Sequence, residues 1–510
     1  MASKKPNILF IITDHHAYFD HNRGGEFEFA PPAYERFCSQ AVRFDRAYAV
    51  CPLCSPARAS MMTGLYPSSH GLRWNTEAVG WPGNRSDFAS GTRLYSDFLG
   101  ERGYRNAYVG KWHCGHKQLP ADFGIEGWSL PDYGRVYMSQ AYRQYAEERG
   151  LGDARARIEH YLGRPEWEGR TSVLHHSSPW RFMNGSGVLA GPAEAHEENF
   201  VAHLAVEKMT ELARCGQPWS LVASFWGPHQ PYYPTEPFAG TIDPKSIPEY
   251  PSFEDDCEGK PLRHLIHRDL THGPPRKYWP DWPTWQEVAA RCYEQQLQLD
   301  AAVGKILDAL DELDLTGDAL VIWLADHGDA IASHGGVWDK ASTFTEEVAR
   351  VPMAIRWPAE LPAGARVRRL VSNMDATATM LDAAGAPVPS SMHSRSLLPL
   401  CMDPEGAEWP DQLVCEHNGH GDQILQRIVV TDRYKYVAAL FDGDELYDLK
   451  DDPHEMKNLV HSSDHAGLCR EMRARLVEHV ERTGDRVAAG RLLYALKRGI
   501  QPRRPTRGAS

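Results

Sequence analysis

Along this chain, runs of apolar residues repeatedly stop at ionisable ones. Residues 7–13, Asn-Ile-Leu-Phe-Ile-Ile-Thr, end at Asp14. Asn106–Gly110 leads into Lys111-Trp112-His113, Trp219–Phe225 into Gly227-Pro228-His229, and Ala319–Ala325 into Asp326-His327-Gly328-Asp329. Short apolar runs without polar alternation predict parallel strands buried on both faces. Between them, residues 196–214 and 288–313 repeat apolar positions at three and four, the spacing of helices that bury one face. Strands alternating with helices predict an α/β fold, a sandwich in which a large, mostly parallel central sheet is flanked by helices. Ligands of such a sheet gather beyond the carboxyl ends of its strands, so the ionisable strand ends converge on one crevice.

The alternation stops near residue 400. Gln426–Leu440 reads as a hairpin turning at Asp432-Arg433, which predicts a smaller C-terminal domain with an antiparallel sheet. The expected organisation is a catalytic domain over residues 1–400, an α+β domain over 401–496 and a basic tail over 497–510. The tail reads as a flexible end, or alternatively as an oligomer contact in a homo-oligomer.

A chain of 510 residues can bury a large core. Its net charge of −13 argues against a nucleic-acid partner and against long-range attraction of a polyanion, so any anion site requires cations concentrated inside a cleft. No apolar run reaches membrane-spanning length, and the N-terminus lacks the apolar region and cleavage site of a secretory signal. The ten cysteines are scattered rather than framed, which suits a reducing compartment; the expected location is cytoplasmic.

The most informative segment is Cys51-Pro-Leu-Cys54-Ser-Pro56-Ala-Arg58. Read as a Cys-X-X-Cys pair, it is a redox couple or half a zinc site, but a second pair at ligand spacing is absent and the following Pro-X-Arg goes unexplained. Cys54, Pro56 and Arg58 instead fill the Cys-X-Pro-X-Arg signature, and the segment resembles that of the type I sulfatases of the alkaline phosphatase superfamily. The resemblance implies that a formylglycine-generating enzyme converts Cys54 into Cα-formylglycine. Its hydrate would be the nucleophile, with a second hydroxyl that allows sulfate to leave by elimination.

Further segments resemble the family in the family's order. Asp14, Asp326 and His327, with residue 54, resemble its ligands for one divalent metal ion. Many sulfatases carry a second Asp where this chain has His15, so Ca²⁺ and Mn²⁺ both stay open, as does whether His15 is a ligand at all. Without the resemblance, Asp326-His327-Gly328 is a turn after a strand, and Lys111 and His113 are a solvated and a packed side chain. With it, Lys111 holds the sulfate and His113 takes the proton that triggers sulfate release. Arg58 fixes the side chain at 54, and His229 and Lys340 protonate the departing alcohol. Arg58, Lys111 and Lys340 then present three cations to one anion. Asn75 either contacts the sulfuryl oxygens or structures its loop.

The resemblance covers Asn7 to Leu459 and fails between about 120 and 285. There Trp279, Trp282 and Trp285 either wall a substrate ring or pack into the core. The implied activity is hydrolysis of a small-molecule or saccharide sulfate ester. A phosphonate monoester hydrolase or phosphodiesterase of the same superfamily is the alternative, although that branch shows Tyr and Thr in place of Lys111 and His113. A non-catalytic protein that binds a sulfated ligand is the alternative from another class.

Overall fold

The computed structural model describes residues 5–18, 27–174, 183–270 and 275–500. Its centre is an eight-stranded sheet. The strands are β1 (Asn7–Thr13), β2 (Val42–Phe44), β3 (Arg105–Lys111), β4 (Glu126–Leu130), β5 (Trp219–Ser224), β6 (Ala319–Ala325), β7 (Met353–Arg356) and β8 (Arg366–Val367). They lie in the order β8-β2-β7-β6-β1-β5-β3-β4. The run from β6 to β4 is parallel, and β7 enters antiparallel to both of its neighbours.

Strand alternation explains the layers, because successive side chains point to opposite faces. Ile8, Phe10 and Ile12 of β1 pack with Met61, Leu99 and Met380 from helices Cys54–Thr63, Tyr95–Glu101 and Asp375–Ala383. Leu9 and Ile11 face the other way, onto Phe37, Val201 and Val303 from helices Pro32–Ser39, Glu197–Ala213 and Trp282–Glu312. With both faces covered, β1 and β6 are buried along nearly their whole length.

The long helix starts at Trp282, six residues before the apolar period becomes visible at 288. Asp281 caps it, its carboxylate accepting from the Thr284 backbone N–H at 3.1 Å. The three tryptophans do not form an open wall. Trp279, Trp282 and Trp285 are buried, and Trp279 meets Trp285 and Trp338 edge-on with ring centres 5.1 and 5.3 Å apart. They are the core of the region where the family resemblance failed.

The C-terminal sheet is antiparallel and runs in chain order through Gln412–His417, Gln426–Thr431, Tyr434–Ala439 and Glu445–Asp448, with the expected turn at Asp432-Arg433. One face packs on helices Ala466–Thr483 and Arg491–Arg498, the other on Tyr48, Phe344 and Ala349 of the catalytic part. Lys497, where the sequence reading begins the tail, is still helical; residues 501–510 lie outside the described residues. Among the described residues no helix is long and apolar enough to cross a membrane.

Buried charges tie this sheet to the loop after β6. Both nitrogens of His334 face carboxylates, Nδ1 at 3.1 Å from Asp255 and Nε2 at 3.0 Å from Glu347, which favours the imidazolium even though Lys260 Nζ also lies 3.3 Å from Nδ1. Lys260 also pairs with Asp255. Close by, Lys435 joins Glu346 at 3.1 Å and Glu455 at 2.6 Å. Burial opposes the charge on His334, but Glu347 and Asp255 win over burial and over Lys260, pushing its pKa up to about 9. A raised histidine pKa contributes stability that is fully present below about pH 6.5 and is lost as pH rises through about 9. The urea midpoint should therefore fall across that interval, by on the order of 3 kcal/mol of unfolding free energy. In His334→Gln this fall should disappear, and a slope unchanged by the substitution would contradict the assignment.

Candidate active site

The carboxyl ends of β6, β1, β5 and β3 lie side by side, and backbone pairing continues just past them. Asp14 N–H donates to the Gly227 carbonyl at 2.9 Å and Asp326 N–H to the Thr13 carbonyl at 3.1 Å. The two carboxylates are thereby fixed next to each other. Cys54 is the first residue of the helix Cys54–Thr63, whose positive end points into the same crevice. Its sulfur lies 3.1 Å from His327 Nε2 and 3.9 Å from Asp14 Oδ1. Donor atoms of Asp14, Cys54, Asp326 and His327 all fall within 4.8 Å of one another. Two carboxylates, an imidazole and the side chain at 54 are a donor set suited to a divalent cation.

Arg58 follows Cys54 by one helical turn and so lies on the same face, directly beneath it. It donates from Nε to Asp326 at 2.8 Å and from Nη2 to Asp14 at 3.2 Å. Its Nη1 is taken by the Lys111 carbonyl and Ser224 Oγ, at 2.9 and 2.7 Å. Fully buried and fully engaged, Arg58 neutralises the two carboxylates and is not one of three cations facing a substrate. Lys111 also turns onto Asp14, with its ammonium 4.0 Å above the ring of Tyr133. Burial pushes the Asp14 pKa up, but Lys111, Arg58, His229 and His327 together hold it well below the usual carboxylate range.

His15, whose place among the ligands the sequence leaves open, puts its imidazole outside the four-donor group around Cys54. Its backbone N–H donates to Asp326 at 3.1 Å, while its left-handed backbone carries the imidazole to a neighbouring group. There it lies 3.2 Å from Asp339 and against the His229 ring, 4.5 Å between centres. Burial, Lys340 and His229 keep its pKa well below the ordinary value.

Lys340 Nζ reaches Asp339 at 2.8 Å and His229 Nε2 at 3.4 Å, so the expected pair is assembled. The two members differ in charge. Burial, then the adjacent Lys340, depresses His229, whereas Asp339 outweighs burial and raises Lys340. At neutral pH Lys340 carries the proton and His229 accepts. His113 Nε2 lies 3.1 Å from Glu77. Burial lowers its basicity, but Glu77 and the nearby Cys54 side chain raise it on balance.

Asn75 lies against the start of the helix Cys54–Thr63. Its carbonyl oxygen accepts from the Ser55 backbone N–H at 3.1 Å, holding the residue next to Cys54. Cys51 is buried among Val50, Leu53, Tyr66 and Trp74 and takes no part in the donor group, which removes the Cys-X-X-Cys reading. All ten cysteines are free. Glu77, Tyr133 and Asp339 escaped the sequence reading. Tyr133 lies in the stretch without resemblance, while Asp339 directly precedes Lys340 and Glu77 follows Asn75 by two residues.

Comparison with known proteins agrees with this geometry. The sulfatase family model matches residues 6–386, and a model for the C-terminal part of N-sulphoglucosamine sulphohydrolase matches residues 333–482. The chain belongs to the sulfatase family. It is 26% identical to the uncharacterized sulfatase YidJ of Escherichia coli (strain K12), over 94% of this chain and 88% of that one. It is 27% identical to choline-sulfatase of Rhizobium meliloti (strain 1021), over 90% and 83%. Among solved structures, the fold matches phosphonate monoester hydrolase SpPMH from Silicibacter pomeroyi with a TM-score of 0.76 and 20% identity, covering 95% of this chain and 96% of that one. This sulfatase is a hydrolase acting on sulfate esters.

Replacing Arg58 by Leu leaves two adjacent buried carboxylates without their counter-charge. The expected cost is about 3–5 kcal/mol in urea unfolding of the metal-free protein. A loss below about 1 kcal/mol would show that the guanidinium does not hold the strand ends together.

Proposed function

We propose that this sulfatase works through Cα-formylglycine made from Cys54 by a formylglycine-generating enzyme, with one divalent cation, Ca²⁺ or Mn²⁺, held by Asp14, Asp326, His327 and the side chain at 54. The observation that carries the reading is the four-donor group built around Cys54 at the positive end of its helix. Bound there, the aldehyde would supply a hydrated nucleophile and the cation would polarise it together with a sulfuryl oxygen.

The chain's own residues then divide the remaining work. Lys111, beside Asp14, and Lys340, beside His229, orient the anion that the protein's net charge would otherwise repel. Lys340, kept protonated by Asp339, hands a proton to the departing alcohol oxygen. His229 steadies the Lys340 ammonium from the other side, its Nδ1 facing the Gln230 carbonyl at 2.8 Å. His113 accepts the proton released on the side of residue 54.

For the alcohol we propose a saccharide. The fold matches a protein solved in complex with its substrate D-glucosamine-2-N,6-O-disulfate, with a TM-score of 0.71 and 20% identity over 95% of this chain and 99% of that one. The chain is also 22% identical to an N-acetylglucosamine-6-O-sulfatase of Bacteroides thetaiotaomicron, over 93% of this chain and 86% of that one. The phosphonate reading draws only on fold. Lys111 and His113 favour sulfate, since the phosphonate branch resembled in sequence shows Tyr and Thr there.

Cys54→Ala should abolish turnover, a fall of at least about 10⁴-fold, while the circular dichroism spectrum and melting stay near wild type. Substantial residual hydrolysis would contradict the assignment. On paired aryl substrates, kcat/KM should favour the sulfate over the phosphonate monoester, and the reverse preference would favour the phosphonate reading.

A further inference from the structure

Glu77 belongs to no motif, yet its carboxylate is the partner of His113. Its two oxygens lie 3.1 and 3.2 Å from His113 Nε2. The Tyr133 backbone N–H donates to the same carboxylate at 3.0 Å and fixes its direction, while the Tyr133 ring meets the imidazole edge-on at 5.6 Å. His113 itself sits in a left-handed backbone conformation, completely buried. Its other nitrogen, Nδ1, is buried without a hydrogen-bond partner.

A carboxylate only accepts hydrogen bonds, so Nε2 must carry the proton in the neutral ring. Nδ1 is then the nitrogen left bare, and the side chain at 54 is the neighbour that interacts with the ring. We infer that Glu77 is the positioning residue of the sulfatase reaction: it holds the His113 proton on Nε2 and so presents Nδ1 as the proton acceptor toward residue 54. The inference rests on His113 having the role given above. When Nδ1 takes the proton of the spare hydroxyl at 54, the O–H electron pair would close the C=O bond of the aldehyde while the C–O bond to sulfate breaks and sulfate leaves with that bond's pair. The imidazolium is neutralised by Glu77 until it returns the proton to water. Asn75, two residues earlier, holds Ser55, so one short loop sets both the nucleophile's helix and the ring that serves it.

The test uses Glu77→Gln, nearly the same shape but with an amide that can donate to Nε2, and Glu77→Asp, which keeps the acceptor. Protein labelled with ¹⁵N-histidine and retaining Cys54 is studied at alkaline pH, where the ring is neutral, and the His113 signal is identified by its loss in His113→Asn. Wild type and Glu77→Asp should show a protonated Nε2 and a bare Nδ1. Glu77→Gln should move the proton to Nδ1. In matured enzyme, Glu77→Gln should lower kcat by about 100-fold or more with KM within about 3-fold, and Glu77→Asp should recover part of that loss. An unchanged tautomer in Glu77→Gln, a kcat within about 3-fold of wild type, or a defect confined to KM would overturn the inference. The spectroscopic result does not depend on maturation. The expected proton shift alongside an inactive wild type would therefore support the dyad and contradict the functional reading.

Discussion

Everything in the crevice is referred to one guanidinium. Two carboxylates at the ends of adjacent parallel strands, Asp14 and Asp326, would repel each other in a buried setting. Arg58 spans them and at the same time takes the Lys111 carbonyl and Ser224 Oγ, so a single side chain joins β1, β3, β5 and β6 beneath Cys54. Because Arg58 and Cys54 share a helical face, the contact that neutralises the strand ends also fixes where the side chain at 54 stands.

The signs of the remaining charges follow from their neighbours rather than from residue type. His334 is charged because both nitrogens meet carboxylates, whereas His229 is neutral because it is buried beside Lys340. Lys340 in turn is held protonated by Asp339. A protein of net charge −13 can thus offer an anion two buried ammonium groups, Lys111 and Lys340, each held by a neighbouring carboxylate.

The parts of the fold legible in sequence were those governed by local periodicity. Uniformly apolar strands such as residues 319–325 and the helix 197–213 announce themselves, and the Asp432-Arg433 turn separates two β-rich runs. The ionisable residues were legible as candidates because strand ends in a parallel sheet face one way. Their roles were less so. His15 and Asn75 stand in family positions, but neither the left-handed backbone that places the His15 imidazole outside the four-donor group nor the bond from Ser55 N–H to Asn75 is visible in sequence. Arg58 was read as a cation for the substrate because sequence does not show which carboxylates lie beneath it. The tryptophans at 279–285 became core since Trp338, more than fifty residues away in sequence, completes their cluster. Glu77 carried no motif, and only the approach of two loops reveals it.

The central claim is chemical: residue 54 is not a cysteine in the working enzyme. Intact-mass and peptide analysis of active protein purified from its native host, together with its metal content, tests this most directly. The account predicts a mass lower by about 18 Da, localised to residue 54, and one Ca²⁺ or Mn²⁺ per chain. A fully active preparation with an unmodified thiol at 54 and no bound divalent cation would contradict it.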